Sequence, residues 1–134
     1  MQNQSQKIGA IGEDIALNYL KKKGYKILAR NFKTKWGELD IVASKNKIIV
    51  FVEVKTLRVA PLPQGRPFAK SEFLPEDEIT FHKAKQLQKM AQIYLSAKKL
   101  PLDVDQQIDI VAIEFNTLDD YVVRHTENAI GDSP

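Results

Sequence analysis

The sequence predicts an α/β domain built on a mixed β-sheet, and three features carry that prediction. Apolar residues recur at helical spacing in two separate stretches, Ser5–Lys23 and Thr80–Leu95. Between them lie strand-like segments joined by a short polar reversal, and after them comes the strongly apolar run Ile108–Phe115. Helices with one apolar face must be covered by a sheet, and a hairpin early in the chain makes part of that sheet antiparallel. At 134 residues the chain has room for one core but hardly for two. A single unit spanning 1–134 is the expectation.

In chain order, Ile8, Ile11, Ile15 and Tyr19 fall three or four residues apart, with Ala16 and Leu20 on an adjoining stripe. They predict a first amphipathic helix, and Gly24 is its natural stop. Tyr25–Arg30 reads as a short strand, followed by a basic turn through Lys35 and Gly37. Leu39–Ala43 is a second strand, Ser44–Asn46 a reversal, and Ile48–Val54 a long apolar third strand, together an antiparallel hairpin. The stretch 57–78 holds Pro61, Pro63, Gly65, Pro67 and Pro75, so an irregular, exposed loop is expected. Loops of that length in small domains often carry function. Thr80 suits the cap of a second helix marked by Phe81, Ala84, Leu87, Ala91 and Leu95. Ile108–Phe115 and Tyr121–Arg124 are the last strands, and the tail 129–134 is expected to fray.

Composition excludes several classes. A hydrophobic fraction of 43% with 28% charged residues argues against disorder and against a fibrous architecture. The lack of cysteine removes disulfides, thiolate metal sites and a cysteine nucleophile, and it fits a reducing cytoplasm. The segment Met1–Lys7 is polar and no apolar run approaches the roughly 20 residues of a membrane span, so a cytoplasmic protein with no membrane partner is expected. The net charge of +3 is unevenly spread. Lys21, Lys22, Lys23, Lys26, Arg30, Lys33 and Lys35 share one stretch with no acid among them, and Lys83, Lys85 and Lys89 begin a second. Such stretches either converge into a phosphate-attracting surface or remain ordinary solvated faces.

The chemistry concentrates in Gly37-Glu38-Leu39-Asp40-Ile41-Val42 and, across the hairpin, Phe51-Val52-Glu53-Val54-Lys55. Strand alternation puts Phe51, Glu53 and Lys55 on one face, with Glu53 and Lys55 about 6.5 Å apart along the backbone. Asp40 approaches Glu53 if the register carries both to one face. Two carboxylates in an apolar setting are driven to neutralise, shift their pKa or bind a cation. Mg²⁺ or Mn²⁺ suits such hard oxygen ligands and leaves positions for a substrate phosphate. Lys55 would orient a water or stabilise charge building on the phosphate. The competing reading makes Glu53 and Lys55 a surface ion pair and Asp40 a turn residue.

These residues resemble a known signature. The Asp…Glu-x-Lys arrangement across a hairpin, preceded by a helix, is similar to that of the PD-(D/E)xK nuclease superfamily. More narrowly, the chain resembles the YraN-like family of uncharacterised bacterial proteins, regarded as predicted endonucleases distantly similar to archaeal Holliday junction resolvases. The likeness runs through Gly9–Ala16, Tyr19-Leu20, Gly24-Tyr25, Arg30-Asn31-Phe32, Gly37–Asp40, Phe51–Thr56, Lys83, Ala91, Tyr94-Leu95, Asp109–Val111 and Glu127-Asn128-Ala129. It implies a restriction-endonuclease-like fold with an αβββαβ core. It also implies that Asp40, Glu53 and the Val54 carbonyl hold the metal and that Lys55 is the catalytic lysine. By the same resemblance Glu13 either joins the site or is a solvent-facing helix charge. Glu38 is either a supporting acid or a turn residue. Lys83 is read as a phosphate or site contact, against an ordinary helix lysine, and Arg30 and Lys35 from the basic stretch stand with it. The family usually has arginine directly after Lys-Thr, whereas here Leu57 precedes Arg58, which puts Arg58 in question as a substrate contact. Resolvase-like relatives act as dimers, so a homodimer is a further implication.

His82 and His125 lack partners at metal-ligand spacing and read as surface or packing residues. Trp36, between basic residues, either stacks on a base or folds over the core, the commoner outcome. The reading is a Mg²⁺- or Mn²⁺-dependent nuclease acting on DNA, branched or junction DNA included. Its rival is an inactive nucleic-acid-binding or protein-interaction module on the same fold.

Overall fold

The structure, a computed structural model, describes residues 4–58 and 80–130, with side chains from residue 7 onward. Helix α1 (Gln4–Lys22) ends where glycine permits it. Gly24 takes φ +93°, and the Tyr25 and Gly24 N–H groups turn back to the Leu20 and Lys21 carbonyls, each at 3.0 Å. That pair of bonds closes the helix in a left-handed cap, and it sets Tyr25 beside Leu20 in the core.

Strands β1 (Lys26–Thr34), β2 (Gly37–Lys45) and β3 (Ile48–Arg58) follow, then α2 (Phe81–Ala97), β4 (Gln106–Phe115) and β5 (Tyr121–Thr126). One five-stranded sheet runs in the order β1-β2-β3-β4-β5. Its β3–β4 pairing is parallel and the others antiparallel, so the sheet is mixed and α2 is the crossover between its parallel strands. The αβββαβ order expected from the sequence is thus present, with β5 added at the edge.

Central β3 explains the layering. Val50 and Val52 pack with Ala16, Leu20, Val111 and Ile113 on the α1 side, whereas Ile49 and Phe51 pack with Leu87, Met90, Tyr94 and Leu95 on the α2 side. A strand buried on both faces reads as a continuous apolar run, as Ile48–Val52 does. Among the described residues, no helix is long and apolar enough to cross a membrane.

Several boundaries differ from the sequence reading. β1 continues to Thr34 because Lys33 and Thr34 pair with Glu38 and Gly37, leaving Lys35-Trp36 as the two-residue reversal. Ser44 and Lys45 belong to β2, and the second reversal is Asn46-Lys47, both at positive φ (53° and 67°) as a tight hairpin demands. Leu57 and Arg58, assigned to the loop 57–78, extend β3 because β4 offers them Glu114 and Phe115 as ladder partners. The rest of that loop lies outside the described residues, as do 131–134 of the tail. Ala129 and Ile130, expected to fray, are held: the Ala129 N–H donates to the Ile108 carbonyl at 2.8 Å, and Ile130 packs on the α2-side core. Thr80 caps α2 as anticipated, its hydroxyl accepting from the Lys83 N–H at 3.1 Å.

A close approach fixes α1 on the sheet. A Cβ added at Gly12 would lie 2.2 Å from Thr56 Cγ2, a distance no packed pair tolerates. Gly12→Ala should therefore lower the unfolding free energy by about 1–3 kcal/mol. Adding Thr56→Ser, which removes the obstructing methyl, should restore most of it. Urea unfolding of the two single variants and the double variant checks this, additive losses contradicting the contact.

Candidate functional site

The site forms where β2 and β3 part. Their backbone pairing ends at Ile41↔Val52, so Asp40 and Glu53 are the next facing positions. There the Val54 N–H donates to Asp40 Oδ2 at 2.9 Å instead of to a backbone carbonyl. A carboxylate has taken the place of a ladder acceptor.

Both β2 and β1 depart from regular alternation here. Leu39 and Val42, three residues apart, join the α2-side core together, while Ile41 between them joins the α1-side core. Strict alternation is broken at Asp40. On β1 the partners of Leu39 and Val42, Phe32 and Ala29, share that α2-side layer, and between them Asn31 adopts φ +54°. Asparagine enters the left-handed region more readily than most residues, which lets β1 follow the turn in β2. Asp40 is thereby within electrostatic reach of Glu13 on α1 and Lys83 on α2.

Glu53 is 6% exposed, and its Oε1 lies 3.4 Å from Lys83 Nζ. Burial, then the neighbouring Asp40 charge, push its carboxyl up to about 7, against the pull of Lys83 and Lys55. Asp40 is also raised, first by burial, although the Val54 N–H opposes the shift. A hydrogen bond from Glu53 to Asp40 adds to that opposition, so the pair competes for a proton. Glu13 is raised by burial and by Asp40. In the orientation that satisfies its hydrogen bonds, the Asn31 amide donates to Glu13 Oε1 at 2.8 Å and to Glu38 Oε1 at 3.1 Å. Asn31 thus ties these acids together. Asp40, Glu38 and Lys83 line a cavity of ≈ 390 Å³ with Lys33, Thr34, Gly37 and Gln86.

The remaining candidates fall elsewhere. Lys55 continues β3 beyond Glu53 and favours its ionised form less strongly than Lys83 does. Val54 contributes its N–H to the site. Arg30 is held by α1, 2.7 Å from Asp14 Oδ1 and 3.9 Å from Glu13 Oε1. Lys35 sits at the β1–β2 reversal with its ammonium 4.9 Å from the Trp36 ring centroid. Arg58 ends β3 and lines a separate cavity with Lys7, Ile8 and Ile11. Trp36 is 53% exposed, not folded over the core as anticipated, because the reversal carries it beyond the last strand pair.

The model of the uncharacterised protein family UPF0102 matches residues 12–113. The chain belongs to that family. This is the YraN-like group that the motifs resemble, and the matched span includes Glu13, Asp40, Glu53, Lys55 and Lys83. Among relatives, a UPF0102 protein of Clostridium botulinum (strain Loch Maree / Type A3) is 38% identical over 123 residues, covering 91% of this chain and 92% of that one. One from Caldanaerobacter subterraneus subsp. tengcongensis is 38% identical over 109 residues, covering 81% and 80%. One from Alkaliphilus oremlandii is 36% identical over 126 residues, covering 93% and 98%. Among solved structures, SfsA of Pyrococcus furiosus in complex with Ca²⁺ aligns with a TM-score of 0.37 at 14% identity, over 92% of this chain and 63% of that one.

This UPF0102 protein has a second polar cluster that sequence reasoning missed. Asp109, His125 and Glu127 offer ligand atoms within 4.8 Å of one another, a group that could hold a metal ion. Hydrogen bonds already join its members. His125 Nε2 is 2.8 Å from Asp109 Oδ2 and its Nδ1 3.2 Å from the Tyr19 hydroxyl, while the Tyr25 hydroxyl donates to Glu127 at 3.1 Å. Asp109, with no exposed surface, also accepts from Gln107 and from the Asn128 N–H. The available signal was an acid within the apolar run Gln106–Phe115, since a buried carboxylate requires partners.

Glu53 also predicts a pH dependence. Its folded pKa of about 7 exceeds the ordinary 4.5, so folding takes up a proton that the unfolded chain releases. The resulting stability is fully present below about pH 4.5 and is lost as pH rises towards about 7, on the order of 3 kcal/mol across that window. Urea midpoints taken without divalent ions should therefore be higher at about pH 5 than at about pH 8. Glu53→Gln should flatten that difference, and an unchanged slope would assign it to other groups.

Proposed function

We propose that this protein is a metal-dependent nuclease that hydrolyses DNA phosphodiester bonds. The reading rests on one observation: Asp40 and Glu53 face each other at the opened end of β2 and β3, with Lys83 in contact and Lys55 on the same strand. Two buried hard-oxygen donors whose pKa values are both raised, first by burial, are suited to Mg²⁺ or Mn²⁺. Such an ion would polarise a phosphodiester and ease ionisation of a water. Asp40 is held in place for this by the Val54 N–H. Glu53 would give up its proton on loading, so affinity should fall in acid. Lys55 would face the charge that develops on the phosphate, and Lys83, relieved of neutralising Glu53, would turn towards the same anion. The likeness to resolvases supports branched or junction DNA as substrate, and a cysteine-free chain is suited to the cytoplasm.

One observation favours a second reading. Lys83 Nζ already supplies a positive charge 3.4 Å from Glu53, as a cation would, so the pocket is partly neutralised without an ion. A domain so balanced would bind nucleic acid without cutting it.

Two measurements separate the readings. With millimolar Mn²⁺, a live site should gain stability by mass action, about 2.7 kcal/mol when the ion stands at a hundred times its Kd, and a chelator should reverse the gain. No rise in melting temperature would favour the binding module. Cleavage of branched and single-stranded DNA should fall at least about a hundredfold in Asp40→Ala and in Lys55→Ala, with circular dichroism unchanged. Cleavage at wild-type rates by both variants would place the reaction elsewhere.

A further inference from the structure

The β1–β2 reversal presents an aromatic ring to solvent beside the cavity at Asp40, and its surroundings fix that placement. A Cβ at Gly37 would come within 2.9 Å of Gln86 Nε2 and 3.3 Å of Met90 Cγ, so the hairpin tip rests directly on α2. The Trp36 N–H donates to the Thr34 hydroxyl at 3.0 Å, and that hydroxyl contacts Met90 Sδ at 3.6 Å. Thr34 and Gly37, on either side of the reversal, both line the cavity that contains Asp40. Asp40 itself lies about 13 Å from Trp36 along β2.

The ring is 53% exposed, and lysines surround it. Lys89 Nζ is 4.3 Å and Lys35 Nζ 4.9 Å from its centroid, while Lys33 and Lys83 line the cavity below. An exposed tryptophan ringed by ammonium groups suits a ligand with alternating flat and anionic parts. Exposed cation–π contacts are worth about 0.5–1 kcal/mol, whereas a base stacked on an aromatic ring is worth about 1–3 kcal/mol. A stacked nucleobase would compete with the two lysines for the ring face and leave their charges available to the flanking phosphates. A paired base inside a duplex has no free face to offer.

From this arrangement we infer that Trp36 is a stacking platform for an unpaired DNA strand, with Lys35 and Lys89 on its phosphates, leading the strand into the cavity at Asp40. The inference rests on the nuclease reading for its purpose and gives that reading a substrate class: DNA with an unpaired segment beside the scissile bond.

The test uses the fact that Trp36 is the only tryptophan in the chain. Selective excitation of the full-length protein, titrated with an oligothymidylate in the presence of a chelator, should quench the emission to saturation. A blunt duplex of the same length should leave it unchanged. By fluorescence anisotropy of a labelled strand, Trp36→Ala should weaken single-strand binding about tenfold. Trp36→Phe, which keeps a stacking ring, should retain most of the affinity. Single-strand binding without quenching, or full affinity in Trp36→Ala, would overturn the platform, as would equal quenching by the duplex. None of these readouts involves cleavage. A failed nuclease reading appears instead as quenching without any metal-dependent cut, and a failed platform as a cut without quenching.

Discussion

The bond from the Val54 N–H to Asp40 is the constraint from which the local architecture follows. Had β2 and β3 stayed paired past Ile41 and Val52, that donor would have met a carbonyl and no acid would be required there. A carboxylate can serve as acceptor only if β2 turns, and β1 must turn with it at Asn31. The turn costs regular alternation and creates the notch. A desolvated pair of acids, a lysine from α2 and an acid from α1 then meet at one strand end. The central sheet carries this irregularity because β3 is buried on both faces and locked to β4 along its length.

Much of this was legible in the chain. The helix faces, the apolar third strand and the shared face of Glu53 and Lys55 follow from periodicity, since two-residue and three-to-four-residue repeats read directly as strand and helix faces, whereas the place of Asp40 beside Glu53 came from the family resemblance. What escaped has a common cause: it depends on partners distant in sequence. Lys33 and Thr34 have no apolar pattern to mark them as strand, and only the facing residues Glu38 and Gly37 make them one. Leu57 and Arg58 look like the start of a loop until β4 supplies Glu114 and Phe115. The bend at Asp40 is invisible in sequence, because it depends on Asn31 of the neighbouring strand taking positive φ, which the residue type permits but does not dictate.

Asp109 shows the opposite case, a signal present in the sequence itself. An acid in the middle of Gln107–Ile113 had to be satisfied by something, and His125 and Asn128 supply the partners. The two polar clusters also differ in kind. Every member of the Asp109 group meets a hydrogen-bonding partner of matching character, so it joins the C-terminal strand to the end of α1. At Asp40 and Glu53 two acids are pressed together, and Lys83 from a separate element is the strongest cation relieving Glu53, ahead of Lys55. The first arrangement is satisfied by its own hydrogen bonds, whereas the second keeps two acids whose pKa values are raised by burial.

The separation of Lys83 from the hairpin along the chain has a kinetic consequence. β2 and β3 are neighbours through a two-residue reversal and can zip early, whereas α2 docks only with the long crossover that brings β4 alongside β3. Local pairings close before distant ones, so Asp40 and Glu53 are brought face to face with Lys55 on the same strand but with Lys83 still absent. Acidity or a divalent ion would ease that stage of folding, and the same acids that equip the finished site would otherwise slow its assembly.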